Sequence, residues 1–296
     1  MKRILMTGIN GQLGQELQQT LVEYDVIGVG RETLDLTQPD KISQMMDEVK
    51  PDLVINAAAY TAVDQAESEP EIAKATNAIA PGILAKESQK IGVPLIHIST
   101  DYVFDGSQSR PYLDTDPTNP LGVYGQSKLA GEQAIRENCN LHIILRTAWV
   151  YGVGGKGNFV KTMLKLFAER EEIRVVADQV GSPTWTGDLA SAIAQLLPQL
   201  NPEIAGTYHY TNSGVASWYD FAVAIFEEAK QLEFPLKVQR IIPITTADYP
   251  TPARRPAYSV LYCGKIAAVL GTHPPHWRQA LRQMLAEYRR ERQEAI

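Results

Sequence analysis

Tyr124 and Lys128 stand four residues apart at the start of the stretch Tyr124–Asn138, so a helix there places both side chains on one face. A free tyrosine, with a pKa of ~10, is a poor acid–base group at neutral pH. A neighbouring cation favours the phenolate, lowers that pKa and brings general acid–base catalysis within reach. A lysine so placed can also hold a ribose hydroxyl. Upstream, Ser99-Thr100-Asp101 closes an apolar run that reads as a strand. Open α/β sheets bind ligands at the carboxyl ends of their strands, so Thr100 can bond a substrate carbonyl and share its proton with the tyrosine. By spacing alone, Tyr124 and Lys128 are equally a surface helix pair.

What removes that reading is the turn Gly8-Ile9-Asn10-Gly11-Gln12-Leu13-Gly14 near the N-terminus. A strand-like run, Lys2–Met6, precedes it, and a helix with Leu13, Leu17 and Leu21 on one face follows. Gly8, Gly11 and Gly14 then allow a tight turn, close backbone approach to a pyrophosphate and close helix–strand packing. The helix start offers free N–H groups and partial positive charge to phosphates. Dinucleotide turn and proton-transfer pair together imply hydride transfer. The second strand ends at Val29-Gly30-Arg31, where a cofactor lacking the 2′-phosphate usually meets a carboxylate. Arg31 can instead make charge-assisted bonds to a 2′-phosphate, which favours NADPH over NADH as the cofactor; a solvated loop arginine is the alternative. Asp35 suits the adenine amino group, or equally a helix cap.

The elements that must position these residues alternate. Lys2–Met6, Asp25–Val29, Asp52–Ile55, Pro94–Ile98 and Leu141–Leu145 read as strands buried on both faces, with amphipathic helices between them and Pro39 near one helix start. Strand–helix–strand repetition implies right-handed crossovers and a Rossmann-type, doubly wound parallel sheet. After Tyr151 the rhythm changes to a glycine-rich loop (Gly152–Gly157), a helix near Phe159–Ala168 and a strand at Ile173–Val176. The expected division is a dinucleotide-binding domain over 1–155 plus roughly 185–212, and a smaller C-terminal substrate-binding domain over roughly 156–184 and 213–296. Pro243, Pro250, Pro252, Pro256, Pro274 and Pro275 crowd into the latter, as in ordered loops that wall a binding site. The stripe Trp277, Leu281, Met284, Leu285, Tyr288 reads as packing.

Composition excludes several classes. The 296 residues carry a net charge of -6, which gives no footprint for a nucleic-acid polymer, and the basic run Tyr288–Arg292 is short. No apolar run approaches the ~20 residues of a membrane span, and polar residues and glycines from Gly8 to Glu16 replace a signal h-region. Cys139 and Cys263 are the two cysteines, so neither a disulfide scaffold nor a zinc site is expected. The expectation is a cytoplasmic protein.

The ordered motifs Thr7-Gly8-x-x-Gly11-x-x-Gly14, Asn56-Ala57-Ala58-Ala59, Ser99–Phe104 and Tyr124-x-x-x-Lys128 resemble the extended short-chain dehydrogenase/reductases. Ala59–Asp64, Arg146–Tyr151, Asp178-Gln179-x-Gly181-x-Pro183-Thr184 and Tyr249–Pro256 narrow the resemblance to the dTDP-4-dehydrorhamnose reductase family, over essentially the full length. The proline–arginine segment is the most specific element. The resemblance implies reduction of the C4 ketone of a dTDP-4-dehydro sugar, with Tyr124 as proton donor, Lys128 tuning it and binding the ribose, and Thr100 polarising the carbonyl. It assigns Gly8, Gly11, Gln12, Leu13 and Gly14 to the pyrophosphate turn and Asp35 and Leu36 to adenine. Ala58, Ala59, Tyr60 and Thr61 fall to the loop beside the nicotinamide. Thr100, Asp101, Tyr102 and Trp149 match sugar-contacting positions; Trp149 is equally a core aromatic. Arg254 and Arg255 suit a diphosphate, or a structural salt bridge. Some family members hold Mg2+ at a dimer contact. Glu16 matches one ligand there, but Asp188 stands where a glutamate is expected, and no resident metal is expected.

Two other readings use the same residues. Dehydratases of this fold follow the Ser/Thr with an Asp-Glu pair, whereas here Tyr102 follows Asp101; epimerases retain their cofactor. A cofactor-binding regulatory subunit of the methionine adenosyltransferase type would not need the full set Thr100, Tyr124, Lys128.

Overall fold

Six parallel strands form the centre of the computed structural model, which describes residues 1–294. Five of them, β1 (Arg3–Thr7), β2 (Asp25–Val29), β3 (Leu53–Asn56), β4 (Leu95–Thr100) and β5 (His142–Thr147), fall where the apolar runs place them. The sixth, Gly206–His209, pairs with β5 and carries no apolar run that would announce it. The sheet order is Gly206–His209, β5, β4, β3, β1, β2.

Both faces of the sheet are covered, which is why the strands do not alternate apolar with polar. Ile4, Met6, Ile55, Ile143 and Leu145 pack on one side against Leu13 and Leu17 of helix Gln12–Thr20 and Leu189 and Ile193 of helix Thr186–Leu196. Leu5, Val54, Leu95 and Ile144 point the other way, onto Ile42, Met46, Leu84 and Ile135. A period of two thus divides one continuous apolar run between two helical layers. Pro39 occupies the first turn of helix Pro39–Val49, where its missing N–H costs nothing. A Leu17→Ala change in so closed a layer would cost on the order of 2–5 kcal/mol.

From β1 the chain crosses to β2 on one side, and β3 then pairs on the other. The strand order reverses there, leaving a crevice at the carboxyl ends of the strands.

A second core gathers Phe167, Ile173, Phe221, Ile225, Trp277, Leu281 and Leu285. It includes the helices Phe159–Glu169, Trp218–Gln231 and Trp277–Glu294 and the parallel strands Glu172–Val176 and Arg240–Ile244. Ser217 and Asp220 form a reciprocal capping box at the start of Trp218–Gln231. The stripe on the last helix is packing, as its spacing suggests. Among the described residues no helix is long and apolar enough to cross a membrane.

Candidate active site

A cavity of ≈ 730 Å³ runs along the carboxyl ends of β1–β5. At one end lies the glycine turn. Gly8 has φ +80, a left-handed conformation, and a Cβ there would stand 2.7 Å from the Ala58 backbone nitrogen. Gly14 lets the following helix sit on the Gly8 carbonyl, which a Cβ would meet at 2.1 Å. The helix begins at Gln12 with Gly11 before it and no side-chain cap, so its first N–H groups face the cavity unclaimed by a side chain. Gly11, Gln12 and Leu13 line the cavity with Gly8, while Gly14 supports the turn from behind.

Two loops enclose the cavity. The Gly155 backbone N–H donates to Gln15 Oε1 at 3.1 Å, and Asn158 Nδ2 donates to Gln12 Oε1 at 2.7 Å, drawing the Gly152–Gly157 loop over the turn. The glycine content of that loop is legible in the sequence, but its place over the cavity, whose lining includes Gly155, Lys156 and Asn158, is not. On the other side, Ala58, Ala59, Tyr60 and Thr61 line the wall after β3. Asn77 fixes this loop, accepting from the Tyr60 N–H at 2.8 Å and donating to the Tyr60 carbonyl at 3.0 Å. Asn77 sits in a short π-helical turn, Ala75–Ile79, a local irregularity that no residue pattern foretells.

At the end of β2, Arg31 is exposed and lines the cavity. Asp35 accepts from the Thr37 N–H at 3.0 Å and hydroxyl at 2.8 Å, bonds that hold its carboxyl below the usual range. It closes a turn before the helix rather than capping the helix. Leu36 beside it is buried and also lines the cavity.

The centre of the cavity holds Thr100, Tyr124 and Lys128, the residues expected to transfer the proton. Helix Val123–Asn138 carries Tyr124 and Lys128 on its buried face, as the spacing requires. Gly125 and Gly131 let that helix approach, since a Cβ would lie 2.2 Å from the Tyr102 carbonyl at one and 2.1 Å from the Asn77 carbonyl at the other. Thr100 ends β4; its hydroxyl donates to Asp101 Oδ1 at 3.0 Å and accepts from the Tyr102 N–H at 3.2 Å. The Thr100 side chain stands beside the Tyr124 phenol, and Tyr102 meets the Tyr124 ring edge-on, centroids 5.4 Å apart.

Burial dominates the titration of this group. It pushes Tyr124 up to about 12, Thr100 opposing and the Asp101 charge adding to the rise. It pulls Lys128 down to about 8, with Glu132 opposing. The expected lowering of the phenol by the lysine is therefore not what the geometry gives: burial dominates, and Lys128 Nζ is engaged by His97 and the Ile98 carbonyl instead. A phenol that keeps its proton is the form a reduction needs, because it must deliver that proton to an alkoxide. Asp101 is 2% exposed, and burial raises it to about 6. Ser259 lies beside it without reaching bonding geometry to Oδ2, which has no partner among the described residues.

Trp149 adopts φ +49, rare for so large a side chain, and lines the cavity. One face stacks on Trp218, with centroids 3.5 Å apart and planes at 6°, and Gly181 packs close to the indole, where a Cβ would lie 2.7 Å from Cε2. Arg254 and Arg255 diverge. Arg255 forms a two-pronged pair with Asp64 at 3.0 and 2.8 Å, whereas Arg254 is exposed and makes no ion pair among the described residues. Neither lines the cavity. Glu16 lies outside it, raised by burial and by the charge of Glu287, its carboxylate 3.3 Å from the Thr186 hydroxyl. Among the described residues no group of three or more His, Cys, Asp or Glu side chains is arranged to hold a metal ion.

A family model described as the RmlD substrate binding domain matches residues 1–290. A dTDP-4-dehydrorhamnose reductase of Burkholderia thailandensis is 46% identical over 288 residues, covering 94% of this chain and 96% of that protein. The chain belongs to the dTDP-4-dehydrorhamnose reductase family. The crystal structure of such a reductase from Clostridium acetobutylicum superposes with a TM-score of 0.91 at 40% identity, covering 97% of this chain and 99% of that one. A Bacillus anthracis reductase solved in complex with NADP gives 0.90 at 41% identity, with 97% and 99% covered. The family match spans the glycine turn, the Tyr124–Lys128 helix and the Tyr249–Pro256 loop together.

Proposed function

We propose that this chain is a cytoplasmic enzyme that reduces the C4 ketone of dTDP-4-dehydro-L-rhamnose to dTDP-L-rhamnose with NADPH, the last step of dTDP-rhamnose synthesis. The observation that carries the reading is the convergence of Thr100, Tyr124 and Lys128 in the same cavity as the glycine turn. The names of the similar reductases supply the sugar.

The residues present fit a nicotinamide dinucleotide, since the left-handed Gly8, packed too closely on the Ala57–Ala58 backbone for a Cβ, and the uncapped start at Gln12 make a pyrophosphate cradle. When bound, that cofactor supplies the hydride. Gly11, Gln12 and Leu13 hold the pyrophosphate, Arg31 the 2′-phosphate, Asp35 and Leu36 the adenine, and Ala58–Thr61 the wall beside the nicotinamide. Lys128 holds the ribose hydroxyls. Thr100 turns its hydroxyl proton from Asp101 to the ketone oxygen when the sugar binds, and the Tyr124 phenol gives that oxygen its proton as negative charge develops. Asp101, Tyr102 and Trp149, which line the cavity, orient the sugar. Arg254 takes the diphosphate, because Arg255 is engaged with Asp64. The two cores support a division into a dinucleotide-binding domain and a smaller substrate-binding domain.

The test is an assay of purified protein with dTDP-4-dehydro-L-rhamnose and NADPH or NADH, following nicotinamide absorbance. Oxidation that depends on the sugar is expected. No turnover, or a tightly retained NAD on the purified protein, would defeat the reading in favour of a regulatory or epimerase role.

A further inference from the structure

Beneath the cavity a line of four side chains runs from β1 to the catalytic helix. Thr7 Oγ1 donates to Asn56 Oδ1 at 2.7 Å, Asn56 Nδ2 faces His97 Nδ1 at 3.0 Å, and His97 Nε2 faces Lys128 Nζ at 3.2 Å. All four residues are at most 1% exposed, so solvent cannot repair a mismatch among them.

Counting donors fixes the protons. The Ala58 backbone N–H also donates to Asn56 Oδ1, at 3.2 Å, and a backbone amide has no other role. The Asn56 amide therefore cannot be turned over, and its NH2 group points at His97. His97 Nδ1 must then be a lone pair, which puts the ring proton on Nε2, aimed at Lys128. An ammonium there would set one donor against another. An amine fits: its lone pair accepts from His97, one N–H donates to the Ile98 carbonyl at 2.6 Å, and the other is left for the cavity.

We infer that His97 is a positioning residue for Lys128, one that offers the lysine nitrogen a donor instead of an acceptor and so opposes its charge. His97 and Lys128 are locked as a pair: the amine goes with the Nε2–H ring, the ammonium with an Nδ1–H ring that Asn56 disfavours. Burial holds the imidazole well below its usual range, and any charge on Lys128 lowers it further, so the ring stays neutral with either form of the lysine. Facing Lys128 are Glu132 on its own helix, which favours the ammonium, His97 on β4, and the neutral Asn56 and Thr7 behind it on β3 and β1. The role rests on Lys128 serving the cofactor ribose, but the state of the ligand-free protein can be read without any turnover.

The decisive measurement is 15N NMR of the His97 ring and the Lys128 amine in ligand-free protein across pH 6 to 11. The expected result is an Nε2–H tautomer wherever Lys128 is uncharged and a lysine midpoint well under the ordinary ~10.4. Asn56→Asp gives Nδ1–H an acceptor, so the ring should switch to the Nδ1–H tautomer and the lysine midpoint should rise by a pH unit or more. His97→Leu should raise KM for NADPH as well as lower kcat. An Nδ1–H ring beside uncharged Lys128 in the unsubstituted protein overturns the inference, as does an unchanged lysine midpoint in Asn56→Asp. If Asn56→Asp does not fold, the tautomer in the unsubstituted protein decides alone.

Discussion

Arg255 and Asp64 are joined by two hydrogen bonds, at 3.0 and 2.8 Å, across 191 residues of sequence. Asp64 Oδ1 also accepts from the Ala253 N–H at 3.1 Å, so one carboxylate holds both the backbone and the guanidinium of the proline–arginine loop. The pair fastens that loop to the wall after β3, beside the cavity. Lysine cannot reproduce a two-pronged contact, so Arg255→Lys is expected to raise KM for the nucleotide sugar roughly tenfold, equivalent to ~1.4 kcal/mol, with little change in KM for NADPH. Steady-state kinetics with each substrate varied in turn checks this. The Arg255 hydrogen bond is the largest influence holding the Asp64 carboxyl below its usual range. A depressed carboxylate stabilises above its unfolded value of ~3.9 and loses that contribution as pH falls through the folded value, so the latch is intact at neutral pH.

Tyr124→Phe removes the hydroxyl proposed as the proton donor and leaves the ring that packs against Tyr102. Turnover should fall by ~10²–10⁴ while cofactor affinity stays nearly intact. Fluorescence titration with NADPH beside single-turnover rates separates the two. Unchanged turnover removes Tyr124 from the mechanism.

Asp101 carries a cost of burial in the folded protein. Its folded value is raised from 3.8 to about 6 by burial. A raised group contributes stability that is present below the unfolded value and lost as pH climbs through the folded one. A tenfold change in acidity corresponds to ~1.4 kcal/mol, so above pH ~6 the buried carboxylate costs roughly 3 kcal/mol. Asp101→Asn keeps an acceptor for the Thr100 hydroxyl and offers an amide where Oδ2 lacks a partner. The variant is expected to be more stable than the parent at pH 8, no more stable at pH 4, and slower in turnover. Urea denaturation at the two pH values tests the sign. Equal effects at both would show that the charge is not the cause.

The sequence made the nucleotide-binding half legible because its signals are local. A glycine with φ +80, a strand run such as Ile4–Met6 and a Tyr–Lys spacing of one helical turn each act within a few residues. What stayed hidden depends on distant pairing. Gly206–His209 becomes a strand because β5 offers it an edge, and Asn77 secures Tyr60 through a π-helical turn. Arg254 and Arg255 are neighbours in sequence, yet only the position of Asp64 separates their roles. The titration of Tyr124 departs from its expected direction for a related reason: spacing puts Lys128 on the same helix face, but its nitrogen turns to His97 and the Ile98 carbonyl, and burial of the phenol decides.

Arg31 lines the cavity where β2 ends, and the Glu32 carboxylate that follows it lies against Gly30 and Asn10 at the rim. Glu32 accepts from Asn10 Nδ2 at 3.0 Å, a contact that occupies one of its oxygens at the rim. With that carboxylate bonded to Asn10 and the Arg31 guanidinium making no ion pair among the described residues, the position suits a 2′-phosphate better than a bare ribose. Arg31→Ala removes a charge-assisted contact worth ~1.5–3 kcal/mol, so NADPH should bind roughly ten- to a hundredfold more weakly. NADH, which has no 2′-phosphate, should bind nearly as before. Dissociation constants for both cofactors, taken at low and high salt, check the assignment: the NADPH loss should shrink as salt screens the exposed pair. Equal losses for the two cofactors would place Arg31 outside cofactor selection.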